Sequence, residues 1–419
     1  MISHPATEGS NHRGLYRWWV LFAYLGALIL TQIFWYNFAP LISVLVAKYG
    51  ITELTASWTI LVFPLASLLA SGHAGSLIDR HGYRFAIRAG LALMTAGSAL
   101  RVFDRHFGLV LAGQAVIAVS VPYIVTCIAN LVTDWFDRSE EARATGLCTV
   151  GIFVGIALSL FVSPVLASTL GFHSAMVLFA AAAAAWTALF AATVRQRQSA
   201  APALAGGRTA WLPLFKNPNL AILFTFAFIA QGSYNAVTTW MEVIWRERGF
   251  PSEAAGLAGS MVIAGGIAGS FIFPAMMDRI QKARLTLLIC LVPTIFLIYP
   301  FLWAHSPRQG YAWGVVLGFF ELPCLAITLT VLERSAGKGQ AGSASGLYWT
   351  MGNAGVLGLT VLLELLKKAT SWHMSINAVI LLTVVLTVLA AWLREPNRAL
   401  HELEDERAIS SEVAPAEIK

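Results

Sequence analysis

Apolar residues in this chain come in long runs, and polar residues are largely confined to the short links between them. Twelve runs can be marked, at roughly 17–42, 55–78, 85–104, 108–133, 145–168, 172–194, 217–244, 253–277, 284–304, 310–333, 341–366 and 372–394. Each has about the 20 residues that a tilted α-helix needs to cross about 30 Å of hydrocarbon. Backbone polar groups in lipid must be satisfied within the segment, so these runs predict helices. An outer-membrane barrel would instead show segments of about ten residues with alternating polarity. The pattern predicts an all-α polytopic membrane protein with twelve transmembrane helices.

The chain also repeats itself. Asp79-Arg80 returns as Asp278-Arg279, an offset of 278 − 79 = 199 residues in a chain of 419. At the same offset Gln32 matches Gln231, Trp35 matches Tyr234 and Gly50 matches Gly249. Ala144-Thr145-Gly146 returns as Ala344-Ser345-Gly346, with the offset now 200. A repeat of this length fits a duplicated membrane half-domain and is too long for a solenoid. The predicted organisation is a six-helix bundle over 1–194, a linker over 195–216, a second six-helix bundle over 217–394 and a charged tail over 395–419.

Composition narrows the class. With 57% hydrophobic and 12% charged residues, the chain has too little polar surface to cover a soluble globule of its size. The net charge of +6 is spread over loops, which argues for topology control and against a nucleic-acid partner. With a cytoplasmic N-terminus, about twenty basic residues fall inside and about eight outside. Both termini are then expected in the cytoplasm, with the chain in the cytoplasmic (plasma) membrane. The polar first 17 residues lack a small-residue cleavage site, so the first run reads as a retained helix. Cys127, Cys148, Cys290 and Cys324 lie in apolar runs without ligand spacing, so neither disulfides nor a metal site is expected.

The densest polar link is Gly75-Ser76-Leu77-Ile78-Asp79-Arg80-His81-Gly82-Tyr83-Arg84, between the second and third runs. It resembles the loop at this place in the major facilitator superfamily, where a glycine is followed by an acid, an arginine, a glycine and further basic residues. The stretch from Asp134 to Gly146 resembles the same superfamily's loop between the fourth and fifth helices. The resemblance implies two pseudo-symmetric six-helix bundles around a cavity that opens alternately to either side. Asp79, Arg80, Arg84 and their counterparts Asp278 and Arg279 are the residues expected at the cytoplasmic gate. An acid adds nothing to the positive-inside bias, so Asp79 in particular is expected to gate, near the N-terminal end of the eleventh helix.

Deeper in the runs, Gln32 and Trp35 occupy the level that Gln231 and Tyr234 occupy in the second half. An unpaired amide in hydrocarbon is costly, so these groups are expected to face a shared chamber where substrate is held. From Arg17-Trp18 through Trp35 to Tyr49-Gly50 the chain resembles the feline leukaemia virus subgroup C receptor-related (FLVCR) family. The likeness continues at Ile229 to Glu242, Val262 to Ser270 and Ser343 to Leu347. Members facilitate choline and ethanolamine movement and have an older association with haem. The resemblance implies an aromatic cage in which Trp35 and Tyr234 attract a cation by its contact with ring faces. Two family glutamines fall on Phe153 and Asn353 here, which changes what can be hydrogen-bonded.

Glu321 is an acid near the middle of an otherwise apolar run, where ionisable residues mark substrate or proton paths. Pro323 beside it predicts a bent helix. His73 reads as packed and neutral, and Arg101 and Asp104 as a local pair at one helix end. Gly265-Gly266 with Gly269 predicts a close helix contact. No Lys or Arg is placed deep in the runs, and no catalytic constellation, P-loop or metal-ligand spacing is present.

The resulting expectation is a secondary transporter of a small organic solute, an organic cation or choline-like amine preferred, and not an enzyme. The alternatives are a proton-coupled carrier of organic anions or carboxylates and a multidrug-type exporter. The substrate residues expected are Gln32, Trp35, Phe153, Gln231, Tyr234, Glu321 and Asn353. No cofactor is expected. The partners are the solute, the lipid bilayer and, through Glu321, a coupling proton, with the protein acting as a monomer.

Overall fold

The first apolar run does not make one continuous helix. In the computed structural model, which describes residues 8–194, 212–336 and 341–394, it forms α1 (Glu8–Tyr36), a 3-10 turn (Ala39–Leu41) and α2 (Ile42–Tyr49). Pro40 cannot donate a helical hydrogen bond and sits inside the break. The first span therefore reaches Tyr49, past the expected end near residue 42. It is followed by α3 (Glu53–His81), α4 (Tyr83–Arg101), α5 (Phe107–Val125), α6 (Ile128–Trp135), α7 (Arg138–Leu170) and α8 (Phe172–Thr193). After a 3-10 turn at Leu212–Lys216 come α9 (Pro218–Glu247), α10 (Ser252–Ile280) and α11 (Ala283–Leu302). The chain then continues with α12 (Pro307–Glu321), α13 (Pro323–Ala336), α14 (Ala341–Ala369) and α15 (Trp372–Trp392).

Among the described residues, eleven spans are long and apolar enough to cross a membrane. The twelfth is α4, whose Arg84, Arg88 and Arg101 lower its apolar content. The fourth and tenth spans are each split in two, into α5 with α6 and α12 with α13. The tenth breaks at Pro323, as its sequence predicts. Among the described residues there is no strand. Most of the expected linker, 195–211, and all of the tail, 395–419, lie outside the described residues.

Small residues set the helix packing. A Cβ on Gly265 would lie 1.9 Å from the Val315 carbonyl oxygen and one on Gly269 would lie 2.0 Å from that of Phe319, so α10 and α12 touch backbone to backbone. In the same way Gly355 of α14 meets the Phe228 carbonyl oxygen of α9 at 1.9 Å. All four cysteines are buried and free.

The described contacts that join the two halves sit toward the face opposite the termini. There α7 packs on α10: a Cβ on Gly256 would lie 2.1 Å from the Leu160 carbonyl oxygen. Ser260 Oγ donates to the Ala157 carbonyl oxygen at 2.8 Å. The Ser43 backbone N–H and hydroxyl both donate to Glu242, at 3.1 and 2.8 Å, and Ser252 donates to its other oxygen at 2.7 Å. Lys367 bridges Glu53 of the other half at 2.9 Å and Glu247 of its own at 3.3 Å.

Toward the face bearing the termini the same helices part. Among the described residues, Gly75 of α3, Gly146 of α7 and Gly346 of α14 have no heavy atom of another segment within 4 Å of where a Cβ would stand. Gly146 precedes Leu160 by 14 residues, close to four helical turns, so it lies on the α7 face that meets α10 farther along. The two halves are thus closed on one face and separated on the other.

The Lys367 bridge is half-exposed, so its contribution is screened. Lys367→Ala is expected to weaken the closed face by only about 0.2–1 kcal/mol. A melting-temperature loss well beyond 5 °C would contradict that assignment.

Candidate functional site

The break in α1 places Tyr36 at the meeting of the halves. Its hydroxyl donates to Asn235 Oδ1 at 2.7 Å, and Asn235 Nδ2 donates back along α9 to the Gln231 carbonyl oxygen at 2.9 Å. Tyr36 and Asn235 are separated by 199 residues, the repeat offset, so this bond links equivalent levels of the duplicated halves. Trp35 stacks nearly parallel on Tyr36 and on Phe63, with ring centres 5.7 and 5.3 Å away. Its indole N–H is buried without a hydrogen-bond partner among the described residues.

Across from this aromatic layer stands Tyr234, close enough to Tyr36 and to Glu321 to interact electrostatically, with Thr238 one turn on along α9. Glu321 is the last residue of α12, directly before the break. Carbonyl groups gather at a helix C-terminus, which favours positive charge there. Glu321 is half-buried and has neither a hydrogen bond nor an ion pair among the described residues. Trp35, Tyr36, Tyr234 and Glu321 are therefore brought together in the interior.

The two glutamines are not. Gln32 packs against Gly155 of α7 and donates to Thr31 at 3.2 Å, while Gln231 packs against Gly352 of α14. Each amide fills a helix contact inside its own half, and the bond across the halves is made by Tyr36 and Asn235 instead. Phe153 is half-buried in α7. Asn353 is its counterpart in α14, since 353 − 153 = 200, and donates to the Trp349 carbonyl oxygen at 2.9 Å.

At the terminal face, Arg80 and Arg279 are exposed, Arg84 is buried, and Asp278 meets Arg334 at 3.4 Å within its own half. The Asp79 side chain lies outside what is described. Tyr83 donates to Asp134 at 2.6 Å and receives the Trp135 indole N–H at 2.9 Å, tying the link after α3 to the one before α7.

Two expectations need correction. Arg101 and Asp104 do not pair. Asp104 binds Lys48 and His173, and these bonds outweigh its partial burial to hold its carboxyl below the usual range. Arg101 turns inward instead and is wholly buried, donating to Gln114 at 2.8 Å between the rings of Phe34 and Phe38. The buried guanidinium stands at the C-terminal end of α4, enclosed within the first bundle. His73, read as packed, is exposed and within 2.6 Å of the Tyr123 hydroxyl.

Sequence reasoning missed Tyr36, Asn235, Thr238 and Glu242. The first two carry a signal, since both stand beside repeat-matched residues at the repeat offset.

Two six-helix bundles that meet over an aromatic and acidic interior define a polytopic transporter rather than an enzyme. The family model of the Major Facilitator Superfamily matches residues 24–359 and 243–417, and the chain belongs to that superfamily. It is 25% identical over 398 residues to solute carrier family 49 member A3 of Danio rerio, covering 89% of this chain and 84% of that protein. It is 22% identical over 365 residues to the choline/ethanolamine transporter FLVCR2 of Homo sapiens, covering 79% of this chain and 68% of the relative. An uncharacterised Archaeoglobus fulgidus protein is 34% identical over 185 residues, 44% of this chain and 84% of its own.

Among solved structures, a bacterial homologue of the human lysosomal transporter Spinster, inward-facing and occupied, aligns with a TM-score of 0.72 at 15% identity. That alignment covers 90% of this chain and 96% of the homologue. The nucleoside transporter NupG aligns with a TM-score of 0.71 at 14% identity, covering 89% and 99%. At these identities the likeness is one of fold.

Proposed function

We propose that this protein is a secondary transporter that moves a small organic cation or amine by alternating access. The observation that carries the reading is Glu321, a half-buried acid with no hydrogen bond or ion pair among the described residues, near Tyr234, which in turn neighbours Tyr36 of the other half. Acids at that depth serve substrate or ion paths. The relatives named as choline/ethanolamine transporters support the same class. Arg101, buried at the end of α4, is enclosed by Phe34, Phe38 and Gln114, so its guanidinium is not presented to a carboxylate solute.

Trp35 and Tyr234 are assigned to the substrate site with Glu321, and Phe153 and Asn353 to its walls. Gln32 and Gln231 support it by holding α1 on α7 and α9 on α14. Basic residues put the terminal face in the cytoplasm. In that orientation the structure is the cytoplasm-open state. Asp79, Arg80, Arg84, Asp278 and Arg279 lie at the parted face and belong to the gate that closes in the other state.

A thermal-shift screen of the purified protein against amines, carboxylates and amino acids tests this. A ligand present at a hundred times its Kd stabilises by about 2.7 kcal/mol. Amines are expected to raise the melting temperature, and Trp35→Ala is expected to abolish most of that rise. Stabilisation by carboxylates alone, or by amines equally in Trp35→Ala, would sink the proposal.

A further inference from the structure

Beside Tyr234 lies a small niche lined by residues of the second bundle. Tyr234, Thr238 and Met241 of α9, Val262 of α10, Phe301 of α11 and Glu321 of α12 enclose about 20 Å³ of room. About 10–15 Å³ measured this way accommodates one water molecule. A primary ammonium is close to water in size, whereas a trimethylammonium head is several times larger.

The polar lining suits the smaller group. An R–NH3+ head presents three N–H donors. Three of the lining residues, Glu321, Tyr234 and Thr238, carry side-chain acceptor oxygens, and their neighbours in the niche are apolar. Charge-assisted hydrogen bonds to a carboxylate are among the stronger polar contacts. A quaternary head has no N–H, so its approach would desolvate Glu321 without supplying a hydrogen bond. Phe301 and Val262 also block the added methyl groups.

We infer that this niche is the head-group subsite of the transporter and that it selects primary ammonium over N-methylated and quaternary ammonium. The inference rests on the organic-cation reading above and adds the substituent on nitrogen. The solute's remaining part extends toward the Trp35, Tyr36 and Phe63 rings.

The test is calorimetric titration of the full-length protein with 2-aminoethanol and its N-methyl, N,N-dimethyl and N,N,N-trimethyl derivatives. Binding is expected to weaken at least about tenfold from the primary to the quaternary member, the scale of a lost hydrogen bond to a charged group. In Glu321→Gln the primary member is expected to lose about tenfold and the preference to vanish. Should that variant not fold, Glu321→Asp withdraws the carboxylate by one methylene and is expected to weaken the primary member alone. Met241→Ala enlarges the niche and is expected to recover binding of the methylated members.

Quaternary binding as tight as primary in the unmodified protein would overturn the inference. So would a preference that survives in Glu321→Gln. Binding that depends on Trp35 but ignores N-methylation would overturn the niche alone, whereas no binding by any member would overturn the organic-cation reading with it.

Discussion

Gly256→Leu is expected to force the two halves apart on the face where they now meet. A Cβ at that position would lie 2.1 Å from the Leu160 carbonyl oxygen and 2.9 Å from Pro164 Cγ, both on the opposite half. Backbone cannot yield as a flexible side chain can. Overpacking of a fitted contact costs about 1–3 kcal/mol. A cost of that size, borne by one state, changes a two-state population by about 5- to 150-fold. The strain falls on the closed arrangement only, because separation of α7 from α10 relieves it. Spin labels at Arg105→Cys and His305→Cys, exposed residues of the two halves on this face, should report a longer distance population. An unchanged distance distribution in a folded variant would mean that α7 and α10 do not form the closure.

The opposite result is expected from Gly146→Leu. Among the described residues no atom of another segment lies within 4 Å of its Cβ position, so the side chain fits the present state without strain. Gly146 shares the α7 face of Leu160, so closure of the terminal face would bring the new side chain against the second bundle. The variant should fold, bind amine as before and stay in the present state, with the label pair showing only the short distance. Transport of bound amine into proteoliposomes should fall at least about tenfold, by the same population argument. Normal transport by Gly146→Leu would show that the terminal face closes through other residues. Taken together, two glycines on one packing seam are expected to push the protein in opposite directions, which a general loss of stability would not produce.

Much of the architecture is legible in the residue order. Apolar runs too long for a soluble core give the spans, and matched residues half a chain apart give the duplication. Pro323 announces the split of the tenth span, and the Gly265, Gly266, Gly269 group announces the contact of α10 with α12. Glu321 stands out because an acid in an apolar run has few bland explanations.

Hydrophobicity alone did not say which way each polar side chain points. Gln32 and Gln231 match across the repeat and lie deep, so a chamber-facing role followed; Gly155 and Gly352 instead give each amide a helix contact in its own half. Arg101 and Asp104, one turn apart, suggested a pair, yet Gln114 and two phenylalanine rings draw the arginine inward while Lys48 and His173 hold the acid. In each case a partner on another helix decides the direction.

What the sequence determined by itself is that this is a duplicated twelve-helix membrane protein with aromatic and acidic residues at mid-depth, because lipid admits few other arrangements of such runs. Tertiary structure alone decided that Tyr36 and Asn235 join the halves, that Glu242 binds Ser43 across them, and that Tyr234, Thr238 and Glu321 share a niche of ammonium size. Those facts depend on the rotation of each helix about its axis and on the depth at which it meets its neighbours. Both are set by the fit of whole helix surfaces, to which each residue contributes only in company.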